Sequence, residues 1–393
     1  MRIESMRIRN YRALKDVELS GLSGLNVFVG ANGTGKSTLF DVFGFLHDAL
    51  VHNVRQALAK RGGFSEVVSR GEEGPISIEL KFRQEPDSPL VTYSLQVGFE
   101  DNAPFVEREV LKYRRGQHGK PWHFLDFSRG EGNAVVNEEE YAAADDAEER
   151  REPQKLDSPD ILAIKGLGQF QRFDAVLKFR RMIESWHVSD FHIAEARPSQ
   201  EAGFAEHLSA RGDNLPLVAQ YLFEQHRPVF DTVLEKMASR VPGVEKVEAV
   251  DTADGRLVLR FQDGSFKDPF IARFVSDGTI KMFAYLVLLH DPKPHPLLCV
   301  EEPENQLYPK LLVELSEEFR EYSNRGGQVF VSSHSPDLLN GLALEEVYWL
   351  KKVDGFASVK SAAEDDQIKA LVGEGDQLGA LWRQGLFDGV HPE

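Results

Sequence analysis

Apolar and polar positions alternate from the first residues. Ile3 to Leu19 reads as strand, turn, strand, with Met6-Arg7-Ile8-Arg9-Asn10-Tyr11 and Val17-Glu18-Leu19 as the two arms. A largely apolar run, Leu25–Val29, then ends in a glycine-rich loop. Beyond it Leu39, Val42, Phe43 and Leu46 fall on one face of a helix. Period-2 alternation at Ile76–Phe82, Val91–Phe99, Phe105–Tyr113 and Trp122–Phe127, broken by short polar turns, predicts an antiparallel meander. From Gly130 to Pro159 the chain turns polar, acidic and alanine-rich, which predicts an exposed connection. Helical spacing returns at Phe173, Val176, Phe179, Ile183 and Trp186, at Leu215, Val218 and Leu222, and after Pro228 at Phe230, Val233, Leu234 and Met237. Asp254-Gly255 between Val244–Val250 and Arg256–Phe261 is a hairpin signal.

The final third alternates helix and strand. Ile280, Phe283, Ala284, Val287 and Leu288 share a helix face, Pro296–Val300 reads as a buried strand, and Tyr308, Leu311, Leu312, Leu315 and Phe319 form another helix. Strands are expected at Gln328–Val331 and Val347–Leu350. The apolar tail residues Leu378, Leu381, Trp382, Leu386 and Phe387 are expected to dock on the body. No fixed-period repeat or sustained heptad appears.

Four stretches carry chemistry. Gly30 to Ser37 matches G-x-x-x-x-G-K-[ST] between a predicted strand and a predicted helix. Glycines let backbone N–H groups curl around phosphate oxygens at a helix N-terminus, Lys36 would reach the β- and γ-phosphates, and Ser37 would hold Mg²⁺. A plain glycine-rich turn is the alternative, and the agreement of motif with context disfavours it. Leu297 to Val300 is an apolar strand whose C-terminal end presents Glu301 and Glu302, at the sheet edge where ligands of open α/β folds sit. Glu301 suits the metal, and Glu302 suits orienting or deprotonating a water. His334, after the next strand, is placed to hydrogen-bond the γ-phosphate or that water. Phe274 to Thr279 is a small-residue loop opening a helix. Alone it is an ordinary helix cap; a second phosphate-facing loop makes sense if it covers the nucleotide held by a neighbouring copy.

Bulk properties narrow the setting. The chain has 393 residues and a formal net charge of −17, which argues against non-specific coating of nucleic acid. Cys299 is the one cysteine, so no internal disulfide exists. No apolar run reaches membrane-spanning length, and the first residues lack a signal-peptide core. A cytoplasmic, non-membrane protein is expected.

Together these motifs resemble the ATP-binding-cassette ATPases of the SMC/RecF type, particularly RecF-like predicted ATPases and the ATPase part of OLD-family proteins. Gly30–Thr38 matches the Walker A motif, so Gly30, Asn32, Gly33, Thr34, Gly35, Lys36, Ser37 and Thr38 are the implied ATP contacts. Val275–Thr279 resembles the signature motif, Glu301-Glu302-Pro303-Glu304-Asn305 the Walker B and D-loop, and His334 the switch histidine. Ile8-Arg9-Asn10-Tyr11-Arg12 resembles the opening strand, with Arg12 near the phosphates. The resemblance implies an α/β P-loop NTPase of ABC/SMC-head type: a mixed sheet, an antiparallel β subdomain and an inserted helical lobe. Residues 1–135 and 244–393 would form the split ATPase domain and 136–243 the insertion. Two copies would sandwich two ATPs, with Ser276 and Gly278 of one facing the γ-phosphate on Lys36 of the other, and hydrolysis would release the dimer.

This sequence departs from the family pattern in places. Glu301 stands where aspartate is commoner, Asp277 where transporters carry glycine, and neither Gln56 nor Gln84 has a context that fixes it as the Q-loop glutamine. The insertion is too short for a long coiled coil, and no acidic nuclease cluster follows His334. The implied function is ATP hydrolysis driving a dimerisation switch in DNA repair or genome maintenance. Arg108, Lys112, Arg114, Arg115 and Lys120, together with Lys178, Arg180 and Arg181, are the candidate DNA contacts. The alternative is a sensor ATPase of an anti-phage system acting through a partner effector protein. A transporter subunit fits neither the insertion nor the acidic motif.

Overall fold

The strand Leu25–Val29 is buried throughout, and its alternating side chains feed two separate cores: Phe28 enters one, Leu25, Val27 and Val29 the other. That is the pattern of a parallel strand covered on both faces. The computed structural model describes residues 2–85, 87–114, 120–141, 148–189 and 191–388; Arg115 lies outside them. The central sheet runs in the order His187–Ser189, Leu297–Glu301, Gln328–Ser333, Leu25–Val29, Val347–Val353, Phe356–Ser361. Its first five strands are parallel and the last is antiparallel. Mixed α/β architecture of this kind is what the sequence predicts.

One face of this sheet meets the predicted meander. Eight antiparallel strands follow one another as Leu14–Ser20, Arg2–Tyr11, Ile76–Arg83, Val91–Glu100, Ala103–Tyr113, Trp122–Ser128, Glu131–Val135 and Arg151–Lys155. Helices Lys36–Val51 and Asp174–Glu184 pack against them, with Phe179 stacked on Phe82 at 5.1 Å and tilted against Tyr93 at 4.6 Å. The last two strands correct the expected exposed connection from Gly130 to Pro159. Ala134 and Val135 are buried and the backbone pairs in register. Arg151–Lys155 is an almost wholly exposed edge, so its polar composition reports its surroundings and conceals its pairing.

The opposite face holds helices Leu215–Gln225, Arg227–Arg240, Asp277–Leu289 and Pro309–Asn324. The helical stretch between Ala163 and Arg240 therefore contributes to both cores, and between its two groups of helices it supplies the edge strand His187–Ser189. The predicted hairpin is present as Val244–Asp251 and Arg256–Asp263. The tail docks as expected: Phe387 meets Trp349 at 5.3 Å and Trp382 at 5.4 Å, both edge-on.

Two buried polar side chains join distant parts of the chain. Gln328, 1% exposed, accepts from the Ile3 N–H at 2.8 Å and donates to the carbonyls of Ile3 and Ser23, each at 2.9 Å. Glu109 accepts from the Tyr93 hydroxyl at 3.1 Å, from Ile164 N–H at 3.2 Å and from Ala163 N–H, which ties the meander to the helical stretch. Burial pushes its carboxyl up to about 7 despite those donors.

Gln328→Ala leaves the buried N–H and carbonyl of Ile3 unpaired, the Ser23 carbonyl still accepting from Asn26 at 2.9 Å, and should cost about 3 kcal/mol in denaturant unfolding; a loss below about 1 kcal/mol would remove Gln328 as the joint. For Glu109, a folded pKa above the unfolded one means that the folded state holds the proton more tightly, so its contribution falls as pH rises from the unfolded value toward 7. The stability advantage of the parent over Glu109→Gln should therefore shrink over that window. An advantage independent of pH would contradict the buried-acid reading.

Candidate functional site

The phosphate loop leaves Val29 and enters the helix at Lys36. A Cβ on Gly30 would lie 2.6 Å from Thr34 Oγ1 and 2.8 Å from the Leu350 carbonyl, so only glycine fits there. Gly35 has φ +106°, a backbone that side chains rarely adopt. Thr34 closes the loop by donating to the Ala31 carbonyl at 2.8 Å. Asn32, Gly33 and Ser37 are exposed and Thr38 half-buried, so the loop's outer face is open. Lys36, 5% exposed, folds back and donates to the carbonyls of Gly30 at 2.6 Å and Ala31 at 3.2 Å. Burial lowers its pKa, while Glu302, Glu304 and Glu301 oppose that shift.

Those acids arrive from the adjacent strands. Leu25–Val29 pairs with Gln328–Ser333, which pairs with Leu297–Glu301; Val29 stands opposite Ser333 and Ser332 opposite Glu301. The parallel register thus brings the phosphate loop, Glu301 and His334 to one sheet edge. Glu302 adopts φ +43°, a left-handed turn, and its N–H donates to the Ser332 carbonyl at 2.9 Å. Its carboxylate accepts from Asn305 Nδ2 at 3.1 Å. His334 Nδ1 lies 3.1 Å from Glu304 and 3.9 Å from Glu302.

Glu304 had no assigned role in the sequence reading, yet it holds the histidine loop: its Oε1 accepts from Ser333 Oγ at 2.9 Å and from His334 N–H at 2.7 Å. Three further residues were missed. A cavity of about 670 Å³ beside Glu301 and Glu302 is also lined by His192, Arg197, Asp277 and Lys281. Buried Lys281 donates to the Asn305 carbonyl at 2.6 Å, and burial lowers its pKa to about 8 against the pull of Glu304 and Glu302. His192 follows the strand His187–Ser189, a three-residue element too short to leave a period in the sequence. Neither Gln56, exposed on Val54–Ala59, nor Gln84, lining a different cavity with Arg2 and Glu4, belongs to this cavity.

Arg12 is held at the flank of the phosphate-loop helix. Its guanidinium bonds Asp41, one turn beyond Ser37, at 2.8 Å; Tyr11 and Arg61 reach the same carboxylate. Ser276 caps the helix Asp277–Leu289, accepting from Thr279 N–H at 3.2 Å. It lines a cavity of about 720 Å³ with Gly278 and Tyr308, distinct from the one at Glu301 and Glu302 but adjoining it at Gln306. A Cβ on Gly278 would sit 2.9 Å from the Gln306 carbonyl. Asp277 is ion-paired with Arg197, which also donates to the Ala272 carbonyl at 2.9 Å.

Glu304→Ala should free the Ser333–His334 loop and slow ATP turnover by roughly 100-fold, the scale of a misplaced reacting group, while nucleotide affinity stays close to the parent's. Equal loss of binding and turnover would make Glu304 a general structural residue.

Solved structures of similar fold include an Smc head bound to the C-winged helix domain of ScpA. It is 15% identical, with 92% of this chain and 98% of that chain covered and a TM-score of 0.59. The Smc head domain bound to the C-terminal domain of ScpA, derived from Pyrococcus furiosus, is 14% identical, with 95% and 99% covered and a TM-score of 0.52. At such identities the likeness is one of fold. Among the described residues, no helix is long and apolar enough to cross a membrane. Residues 25–340, most of the chain, match the family described as "AAA domain, putative AbiEii toxin, Type IV TA system", and the chain belongs to that family of P-loop ATPases, with the fold of an SMC head.

Proposed function

We propose that the chain hydrolyses ATP as a nucleotide-driven dimerisation switch whose output is a partner protein. The observation that carries this reading is a division of the site. Lys36 and the acids at Glu301, Glu302 and Glu304 converge at one sheet edge, while Ser276 is exposed and lines a distinct cavity. A second copy is needed to bring the two halves together. Phe274 and Tyr308, 73% and 70% exposed, flank that outward loop and give it apolar surface to bury.

In this mechanism Lys36 leaves the carbonyls of its own loop for the β- and γ-phosphates. Three carboxylates facing one ammonium suit a divalent cation, with Ser37 and Glu301 as its protein ligands. Mg²⁺ bound there supplies charge neutralisation for the transferring phosphoryl group. Glu302, its carboxylate steadied by Asn305, orients and deprotonates the attacking water, and His334 donates to the γ-phosphate. Ser276 and Gly278 of the second copy cover that phosphate and exclude solvent. Pairing with Arg197 keeps the Asp277 charge from opposing the anion.

A protein partner is favoured over DNA because much of the candidate basic surface is already neutralised. Arg108 pairs with Asp126 at 3.1 Å, Lys178 with Asp174 at 2.6 Å and Arg180 with Glu184 at 2.8 Å. The net charge of −17 points the same way, and the family's description as a putative toxin of a toxin–antitoxin system fits a defence role better than repair. An ATP-dependent mobility shift of duplex DNA at low salt would restore the genome-maintenance reading.

Lys36→Ala should weaken ATP binding by roughly 10–100-fold, the worth of a charge-assisted contact. Glu302→Gln should bind normally, lose about 10²–10⁴ in turnover and accumulate as an ATP-bound dimer in size exclusion with light scattering. Adding Ser276→Arg to Glu302→Gln should leave ATP binding intact and abolish that dimer. A monomeric Glu302→Gln protein in saturating ATP would defeat the sandwich.

A further inference from the structure

The parallel strands that end in the nucleotide site begin, at their other ends, beside a cluster of histidines. His187 opens the edge strand His187–Ser189, and His295 precedes Leu297–Glu301. Asp291 lies just past the helix Asp277–Leu289, and His207 comes from the segment before Leu215–Gln225. His207 Nδ1 is 2.6 Å from Asp291 Oδ2. The rings of His207 and His295 are 5.2 Å apart, and His187 stacks on His295 at 4.8 Å. One ligand atom each from His207, Asp291 and His295 can be chosen so that all lie within 4.8 Å of one another.

The protonation pattern points to a Lewis acid. His295 Nδ1 is 3.0 Å from the Ser185 carbonyl, which can only accept, so the proton sits on Nδ1 and the lone pair on Nε2. That Nε2 is buried without a partner among the described residues, and so is Nε2 of His187, a residue only 7% exposed. Such atoms forfeit hydration and gain nothing back unless something binds them. An imidazole anchored through Nδ1 to a carbonyl, with Nε2 bare, is the arrangement of a metal-binding histidine and its orienting partner. Another cluster of metal-ligating spacing among the described residues, His290 with Glu318 and Glu321, differs: Lys236 and Arg240 already bring cationic charge to Glu318.

We propose that His207, Asp291 and His295 bind a divalent transition-metal ion of the zinc type, with a fourth position open to water or to His187. Two imidazoles and one carboxylate match the nitrogen and oxygen donors that zinc takes, and the set lacks the all-oxygen character that Mg²⁺ or Ca²⁺ requires. The ion would staple the segment carrying His207 to the beginnings of the central strands and to the end of the Asp277–Leu289 helix. Its role is structural, and it is independent of the nucleotide.

The test uses tag-free full-length protein, stripped with chelator and then titrated with Co²⁺ as a spectroscopic stand-in for zinc. The expected result is one equivalent bound per chain with a tetrahedral visible absorption band, displaced by Zn²⁺. Zn²⁺ should also raise the melting temperature. His207→Gln, whose side chain is 40% exposed and tolerant of change, and separately Asp291→Asn should abolish the band and weaken Co²⁺ more than the roughly 10–100-fold expected of an outer-shell change. Lys36→Ala and Glu301→Gln should keep it, because the nucleotide site is elsewhere. Absence of the band in folded parent protein overturns the proposal. So does a band that survives His207→Gln and Asp291→Asn, or one lost in Glu301→Gln.

Discussion

One ammonium facing three carboxylates is the constraint around which this chain is arranged. Lys36 is buried, which alone would favour its neutral form, and Glu301, Glu302 and Glu304 hold the charge on it. Like charges so gathered repel unless each is fixed by something else. Glu304 is fixed by Ser333 and the His334 N–H, Glu302 by Asn305, and the turn carrying them by Lys281 from below. The excess negative charge makes the edge a place for a cation, and the exposed loop at a helix N-terminus makes it a place for an anion. A nucleotide together with a divalent cation satisfies both.

How much of this was legible in the sequence depended on which physical requirement wrote it. Parallel strands buried on both faces are mostly apolar, so Leu25–Val29, apolar except for Asn26, and Leu297–Val300 announced themselves. Gly30 and Gly35 were legible because contact with Leu350 and a positive φ admit nothing else. The amphipathic helices and the docked tail followed from spacing. Elements held by backbone pairing alone were hidden. Arg151–Lys155 is polar because it is an exposed edge, and His187–Ser189 is too short to show a period.

The site divided the same way. Residues whose role is local, such as Lys36 and Ser37 at a loop–helix junction, carry a motif. Residues whose role is set by tertiary adjacency carry none. His192 reaches the acids from the strand beside Leu297–Glu301, Arg197 from a loop that clamps Asp277, and Lys281 from a helix interior where it looks like any solvated lysine. Arg12 shows the converse. Its motif position drew it toward the phosphates, while its guanidinium is engaged by Asp41, a contact invisible in one dimension.

The helix Asp277–Leu289 explains why such unannounced residues matter. Its 13 residues span roughly 20 Å at 1.5 Å per residue. Ser276 caps the end that the proposed second copy would cover. One turn in, Lys281 holds the carbonyl of Asn305, whose side chain steadies Glu302. Just past the far end, Asp291 joins the histidine cluster at the beginnings of the strands. In the proposed dimer, a copy docking on Ser276 would press on the turn that positions Glu302 through the Lys281–Asn305 hydrogen bond, from a helix whose other end is anchored near Asp291. A cation at His207, Asp291 and His295 would stiffen that anchor.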